Sequence, residues 1–219
     1  GITGYYDRKV SLLGMFSSGE VSDRVFLKLH EEYAQKLNEL LNLRVQKTEE
    51  LRRDLDGKNR RLEDINLAME ELEVRHKIGE VDDQRFNERM GMLKTEGSRL
   101  QILVKETKMN LDELEKPLTG KTPRDVLNLD TKARSCYDVL GKLATEGKLA
   151  TEALDKIKPD IEKMLGFFDS IIKDRKEKER SLREQLETLQ ARYRVSEISI
   201  EEYERRKRDL QEEIDKVWT

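Results

Sequence analysis

The sequence has few of the residues that cross-link, interrupt or fill a compact fold. Its 219 residues include one cysteine, three prolines and only 5% aromatic side chains. A single cysteine, Cys136, excludes an internal disulfide and suits a reducing compartment. No segment approaches the run of about 20 apolar residues that a membrane-spanning helix needs. We therefore expect a cytoplasmic protein that reaches the membrane periphery, if at all, through partners.

The residues and motifs of common catalytic sites are also scarce. The sequence has only two histidines, His30 and His76, and no Cys-x-x-Cys, P-loop or glycine-rich dinucleotide turn. One histidine on each charged helix cannot form a metal site, so we expect packed or capping imidazoles. Catalysis also needs a nucleophile, a base and an orienting group held together at a pocket. We predict no enzymatic activity, no cofactor and no metal.

Charge, by contrast, is abundant. Asp, Glu, Lys and Arg make up 41% of the chain and apolar residues 36%, with a net charge of −3. An ordinary globular domain has about 25% charged residues. The apolar residues are too few for a thick core, but they recur regularly, as long amphipathic helices require. We predict an all-α fold of elongated antiparallel helical hairpins or coiled coil, with a second helical subassembly.

A heptad pattern locates the first long helices. Stepping alternately by four and three from Leu37 to His76 gives eight apolar residues in twelve positions, and from Phe86 to Leu114 seven in nine. This spacing predicts helices at about 24–77 and 83–115, after a short N-terminal helix that ends before Gly19. A similar seam returns after Ile161. We expect the seams to contact partner chains, and the contact residues are Leu51, Leu55, Leu62, Ile65, Met69, Leu72, Leu182, Leu186, Leu189, Leu210, Ile214 and Val217.

The segment from Lys116 to Pro123 divides the predicted helices into two groups. It holds two of the three prolines and a glycine, and neither proline can continue a helix. We expect Asp125 or Asp130 to cap the next helix and Pro159 to occupy the first turn of another. The predicted organisation is a hairpin at 1–116, a linker at 117–130 and a second helical region at 131–219, with helices at about 131–157, 160–194 and 200–218.

A short motif occurs three times. A Gly-Glu-Val or Ser-Glu-Ile triplet is followed by an aromatic residue five positions after its branched residue and preceded at a fixed distance by a leucine. Ser22, Asp82 and Ser199 follow the triplets as candidate N-caps, and a glycine suits the position just after a helix. We favour a helix–turn–helix connector over a continuous helix with a weak point. The connector residues are Gly19, Glu20, Val21, Phe26, Gly79, Glu80, Val81, Phe86, Ser196, Glu197, Ile198 and Tyr203.

The first hundred residues resemble CdvA-like archaeal cell-division proteins. The resemblance is carried by Gly19, Glu20, Val21, Ser22, Val25, Phe26, Leu29, Glu32 and Tyr33, and the run Glu197–Tyr203 is similar. It implies a scaffold that polymerises at the division site, contacts DNA or membrane, and recruits an ESCRT-III-like partner through a short C-terminal segment. The sequence lacks the family's N-terminal β-rich domain and begins with Gly rather than Met. We therefore expect that it is processed or is a piece of a longer protein.

Three functions fit these observations. The first is a non-catalytic scaffold that forms homo-oligomers and recruits protein partners. The second is direct binding to DNA or a membrane surface, through the basic run Lys173–Arg183 and through Arg52, Arg53, Lys58, Arg60 and Arg61. The third is an ESCRT-III-like filament subunit, although that class usually has a strongly basic first helix and an acidic tail.

Overall fold

The structure, a computed structural model, describes residues 1–147 and 151–219. Throughout these residues the fold is all-α, with no strand, as predicted. No helix in this part of the chain has the length and apolarity of a membrane span. The six helices are α1 (Ile2–Ser17), α2 (Asp23–Lys77), α3 (Asp83–Glu115), α4 (Pro123–Thr145), α5 (Thr151–Arg194) and α6 (Ile200–Lys216).

The linker after α3 is shorter than predicted, because α4 begins at Pro123 and not near residue 131. The N-cap is Thr122, whose hydroxyl accepts the Asp125 N–H, while the Asp125 carboxylate accepts the Thr122 N–H. Asp125 is therefore the third residue of a capping box rather than the cap itself. Asp130, the other predicted cap, lies inside α4 and is buried. Pro123 occupies the first helical position, where a missing N–H costs nothing.

The next helix boundary also differs from the prediction. Pro159 lies inside α5 and does not begin a helix. The preceding helix ends earlier, where the Gly147 N–H donates to the Ala144 carbonyl and Gly147 adopts a φ of 72°. Residues 148–150 of the predicted 131–157 helix lie outside the described residues. Proline forbids one helical hydrogen bond, whereas a left-handed glycine ends the helix altogether, so Gly147 is the stronger boundary.

The described chain divides into two compact units, and the division differs from the predicted one. The hairpin unit is Leu40–Pro117, and the split unit combines Gly1–Glu39 with Leu118–Thr219. The N-terminal helix was expected to belong with the first long hairpin. Instead α1 packs against α4, because its apolar face is buried in the split unit.

The split unit has the thicker core. In it α5 packs against α4 along one part and against α6 along another. Tyr6 of α1 stacks on Phe167 of α5 with ring centroids 4.9 Å apart. The Phe167–Ile172 cluster thus forms an internal contact. The fully buried side chains of this unit include Val10, Leu13, Phe26, Val126, Leu140, Ile157, Ile161, Phe168 and Ile172.

One polar cluster joins three helices of the split unit. The Asp160 carboxylate of α5 forms an ion pair with Lys9 of α1 and lies 2.9 Å from Nε2 of His30 in α2. Lys9 is only 3% exposed. Burial alone would raise the pKa of Asp160, but hydrogen bonds from His30 and Lys9 outweigh it and lower that pKa from 3.8 to about 2. The cluster therefore ties α1, α2 and α5 together through one carboxylate.

The hairpin unit consists of the later part of α2 and all of α3, running antiparallel. Three cross-helix contacts show the direction: Arg52 to Glu115 at 2.6 Å, Lys58 to Thr107 at 2.8 Å, and Arg61 to Glu96 at 2.9 Å. As the residue number rises along α2, that of its partner in α3 falls. Gly97 is buried where the side chain of Ile65 lies against α3. This unit has a single layer of core side chains between two helices.

Candidate assembly surface on the helical hairpins

Three turns between consecutive helices share one backbone geometry. Each contains a residue with positive φ: 78° at Gly19, 83° at Gly79 and 59° at Ser196. This residue donates its N–H to the carbonyl three residues earlier, and the glutamate after it donates to the carbonyl five residues earlier, at 2.9–3.1 Å. These two bonds define the Schellman motif. The connectors are therefore closed turns in this structure and not weak points in a continuous helix.

The helix that follows each turn begins in the same way. The Asp82 carboxylate accepts the Arg85 N–H at 2.9 Å, and the Ser199 hydroxyl accepts the Glu202 N–H at 3.2 Å. The Ser22 carbonyl accepts the first intrahelical bond, from Phe26, at 2.9 Å. The three residues that the sequence suggested as N-caps thus stand at the starts of α2, α3 and α6.

A pair of stacked rings holds the two helices together at each turn. One ring comes from the residue three positions before the positive-φ residue, and the other is the predicted aromatic seven positions after it. The centroids are 4.0–4.5 Å apart, with interplanar angles of 10–17°. The sequence interpretation missed the first ring of each pair, although its fixed distance from the triplet was a usable signal. The pairs are Phe16–Phe26, His76–Phe86 and Tyr193–Tyr203.

The remaining connector residues occupy equivalent positions as well. The branched residues Val21, Val81 and Ile198 are half-buried, and the glutamates beside them are exposed. The leucines that precede the triplets, Leu12, Leu72 and Leu189, are 5–6% exposed. His76 also places Nε2 2.7 Å from Oδ1 of Asp83, across the turn. The three connectors therefore repeat a leucine, a ring pair, a Schellman turn and a helix start.

The predicted seam residues lie between helices of this chain itself. Ile65 and Leu72 are buried in the hairpin unit, while Leu51, Leu55, Leu62 and Met69 are half-buried. In the split unit, Leu182, Leu189 and Val217 are buried, and Leu186, Leu210 and Ile214 are half-buried. The expectation that these residues contact other chains does not hold in this arrangement, because a partner could reach them only by opening a hairpin.

A second set of apolar residues faces solvent on the hairpin unit, and the sequence interpretation did not single it out. Each of these side chains is at least half exposed. Several lie two positions after a seam residue, on the far side of the helix. The signal was an apolar residue recurring every seven positions off the seam. The set is Leu67, Val74, Ile78, Met92, Ile102 and Met109.

Many of the basic residues suggested as DNA or membrane contacts are engaged within the chain. Lys176 lies 2.7 Å from both the Asp130 and the Asp169 carboxylates, and Arg183 pairs with Glu179 at 2.5 Å. Burial raises the pKa of Asp169, but Lys176 and Arg134 more than compensate and lower it. The run Lys173–Arg183 is thus largely a structural ion-pair face.

The fold and these contacts define an all-α protein built from helical hairpins that share one turn geometry. Among the described residues, no three His, Cys, Asp or Glu side chains are grouped closely enough to hold a metal ion. No known protein family, curated protein or solved structure matches this sequence.

Proposed function

We propose that this protein is a non-catalytic scaffold that assembles with further copies of itself and recruits protein partners. The observation that carries the proposal is the solvent-exposed apolar set on the hairpin unit. Met92 is 73% exposed, Leu67 and Ile78 are 65% exposed, and Ile102 and Met109 are 60% exposed. Contiguous exposed apolar surface on a folded protein commonly marks an interaction site.

The packing of the hairpin unit supports the same proposal. Its seam already uses the buried faces of both helices, so the apolar residues on the outer faces are not needed for folding. Charged side chains at those positions would cost the hairpin little and would improve solubility. Their apolar character therefore favours a role in binding.

The resemblance to CdvA-like proteins leads to a more specific proposal. The scaffold would act in an archaeal ESCRT-like division system, with an ESCRT-III-like protein as its partner. The support is the Gly19–Tyr33 run and the recurrence of its turn at Gly79 and Ser196. Direct binding to DNA or a membrane surface has less support, because the most basic run pairs internally with carboxylates.

The proposal is tested with two double variants of equal added charge. Leu67→Glu/Ile102→Glu places both charges on the outer faces, and Asn66→Glu/Gln101→Glu places them one residue away, at positions that are also exposed. Both should retain helical circular dichroism, because neither touches the seam. In light scattering, we expect wild type and the Asn66/Gln101 variant to associate and the Leu67/Ile102 variant not to. Equal masses for all three proteins would contradict the proposal.

A further inference from the structure

The exposed apolar residues form two faces on opposite sides of the hairpin unit. Leu67 and Val74 lie two residues after the seam residues Ile65 and Leu72, so a rotation of about 100° per residue turns them away from α3. In α3, Ile102 lies two residues after Leu100, and Met109 two after Thr107. We call the first pair with its neighbours the α2 outer face and the second pair with its neighbours the α3 outer face.

The two faces carry different charges. The neighbours of Leu67 at three and four residues on either side are all acidic: Glu63, Asp64, Glu70 and Glu71. Side chains at this spacing share a helix face. The equivalent neighbours of Ile102 are Ser98, Arg99, Lys105 and Glu106, which leave one net positive charge. All eight of these neighbours are exposed.

These charges decide which faces can meet. Two copies of the α2 outer face would bring four carboxylates against four, and like charges across an interface are strongly disfavoured. The α2 outer face against the α3 outer face instead places apolar side chains together, with Arg99 and Lys105 near the acidic ring. Complementary potential of this kind selects partners and orientation.

We propose that copies of this chain bind one another through the α2 outer face of one copy and the α3 outer face of the next. This inference rests on the proposed function and specifies its contact. Because the two faces differ, the contact is heterologous. Each bound copy still presents one free face of each kind at the two ends of the assembly. The assembly is therefore open-ended and does not stop at a dimer, unless its rotation closes a ring.

Two variants, each with one face disabled, test this arrangement. Leu67→Glu/Val74→Glu disables the α2 outer face, and Ile102→Glu/Met109→Glu disables the α3 outer face. Each variant alone should remain a monomer of 25.8 kDa, because it lacks one half of the contact. An equimolar mixture should form a dimer and grow no further, because it offers one intact face of each kind. Circular dichroism of each variant checks that the helices are retained.

The outcomes separate this inference from the proposed function. A wild-type protein that stays monomeric at every concentration overturns both. Wild type that assembles, with either variant still assembling alone, overturns this inference and leaves the proposed function standing. A mixture that remains monomeric, although wild type assembles, also overturns it.

A charge exchange supplies a second readout. Glu63→Lys/Asp64→Lys and Arg99→Glu/Lys105→Glu should each lower the mass of the assembly, because each places like charges at the contact. Mixing the two should restore growth, since the basic α2 face of one then meets the acidic α3 face of the other. Failure of the mixture to recover mass above that of either variant would overturn the proposed pairing of faces.

Discussion

A backbone angle at one residue sets the position of each hairpin turn. At Gly79 the φ of 83° lies in a region that residues with a Cβ rarely adopt. A Cβ built there would meet no atom within 4 Å, so any cost of a larger residue comes from the backbone and not from crowding. Ser196 adopts a φ of 59° at the equivalent position and bears that cost in the third turn.

We predict that Gly79→Ala destabilises the protein by about 1 kcal/mol, because alanine is strained at positive φ. Gly91 provides a matched control, since it lies inside α3, is exposed and has no atom within 4 Å of an added Cβ. Gly91→Ala should stabilise by about 0.5–1 kcal/mol through helix propensity. Urea denaturation measures both changes. A stabilising Gly79→Ala would mean that the second connector is continuous helix.

The Asp160 carboxylate provides a second test at the residue scale. Its pKa is lowered to about 2 in the folded protein, so its stabilising effect is complete above the ordinary value of 3.8. That effect is lost as the pH falls through about 2. Asp160→Asn should cost about 1–3 kcal/mol at neutral pH, because it leaves the buried Lys9 without its carboxylate.

The same variant should have a flatter acid-denaturation profile than wild type between about pH 4 and pH 2. Glu162→Gln is the control, because Glu162 is exposed on the same helix, and it should change stability by less than about 0.5 kcal/mol. If Asp160→Asn and wild type lost stability in parallel over this pH range, Asp160 would not be the group responsible.

At the scale of the helix, Pro159 distinguishes the structure from the sequence prediction. A proline at the first turn of a helix is favourable, whereas one in the interior removes a hydrogen bond and crowds the preceding turn. Because Pro159 lies inside α5, we predict that Pro159→Ala raises the free energy of unfolding by about 1–3 kcal/mol. Lys158→Ala serves as the control at a neighbouring exposed position. A neutral or destabilising Pro159→Ala would place a helix start there after all.

The elements show which parts of this fold a sequence can predict. Heptad spacing gave α2 and α3 to within a residue, since an amphipathic seam is a local and periodic signal. The turns were predictable because Gly79 stands between a seam residue and an N-cap. Pro159 misled because its local preference suits either a helix start or a tolerated interior position. The choice depends on how the apolar residues of α5 pack, which no local pattern encodes.

The candidate surface was harder to predict than the turns. Leu67 and Ile102 differ from seam leucines only by their phase on the helix, and that phase has meaning only once the partner helix is known. The seams were expected to contact other chains because the sequence does not say whether a heptad pairs within a molecule or between molecules. The contact of Arg61 with Glu96 answers that question for the hairpin unit.

At the scale of the whole molecule, the chain is discontinuous in its packing. Residues 1–39 belong with residues 118–219, while 40–117 form a separate unit. The link between the distant segments includes the Lys9–Asp160 pair, which spans most of the sequence. A unit assembled from both ends of a chain depends on long-range contacts, and these lie beyond the reach of composition and periodicity.

Sedimentation velocity across a concentration series tests the central claim, self-assembly, most directly. We predict that the weight-average sedimentation coefficient rises with protein concentration without reaching a plateau. Added salt should weaken this rise, because exposed charges at the contact are screened. A coefficient that stays at the value of a single 25.8 kDa chain at every concentration would contradict the account.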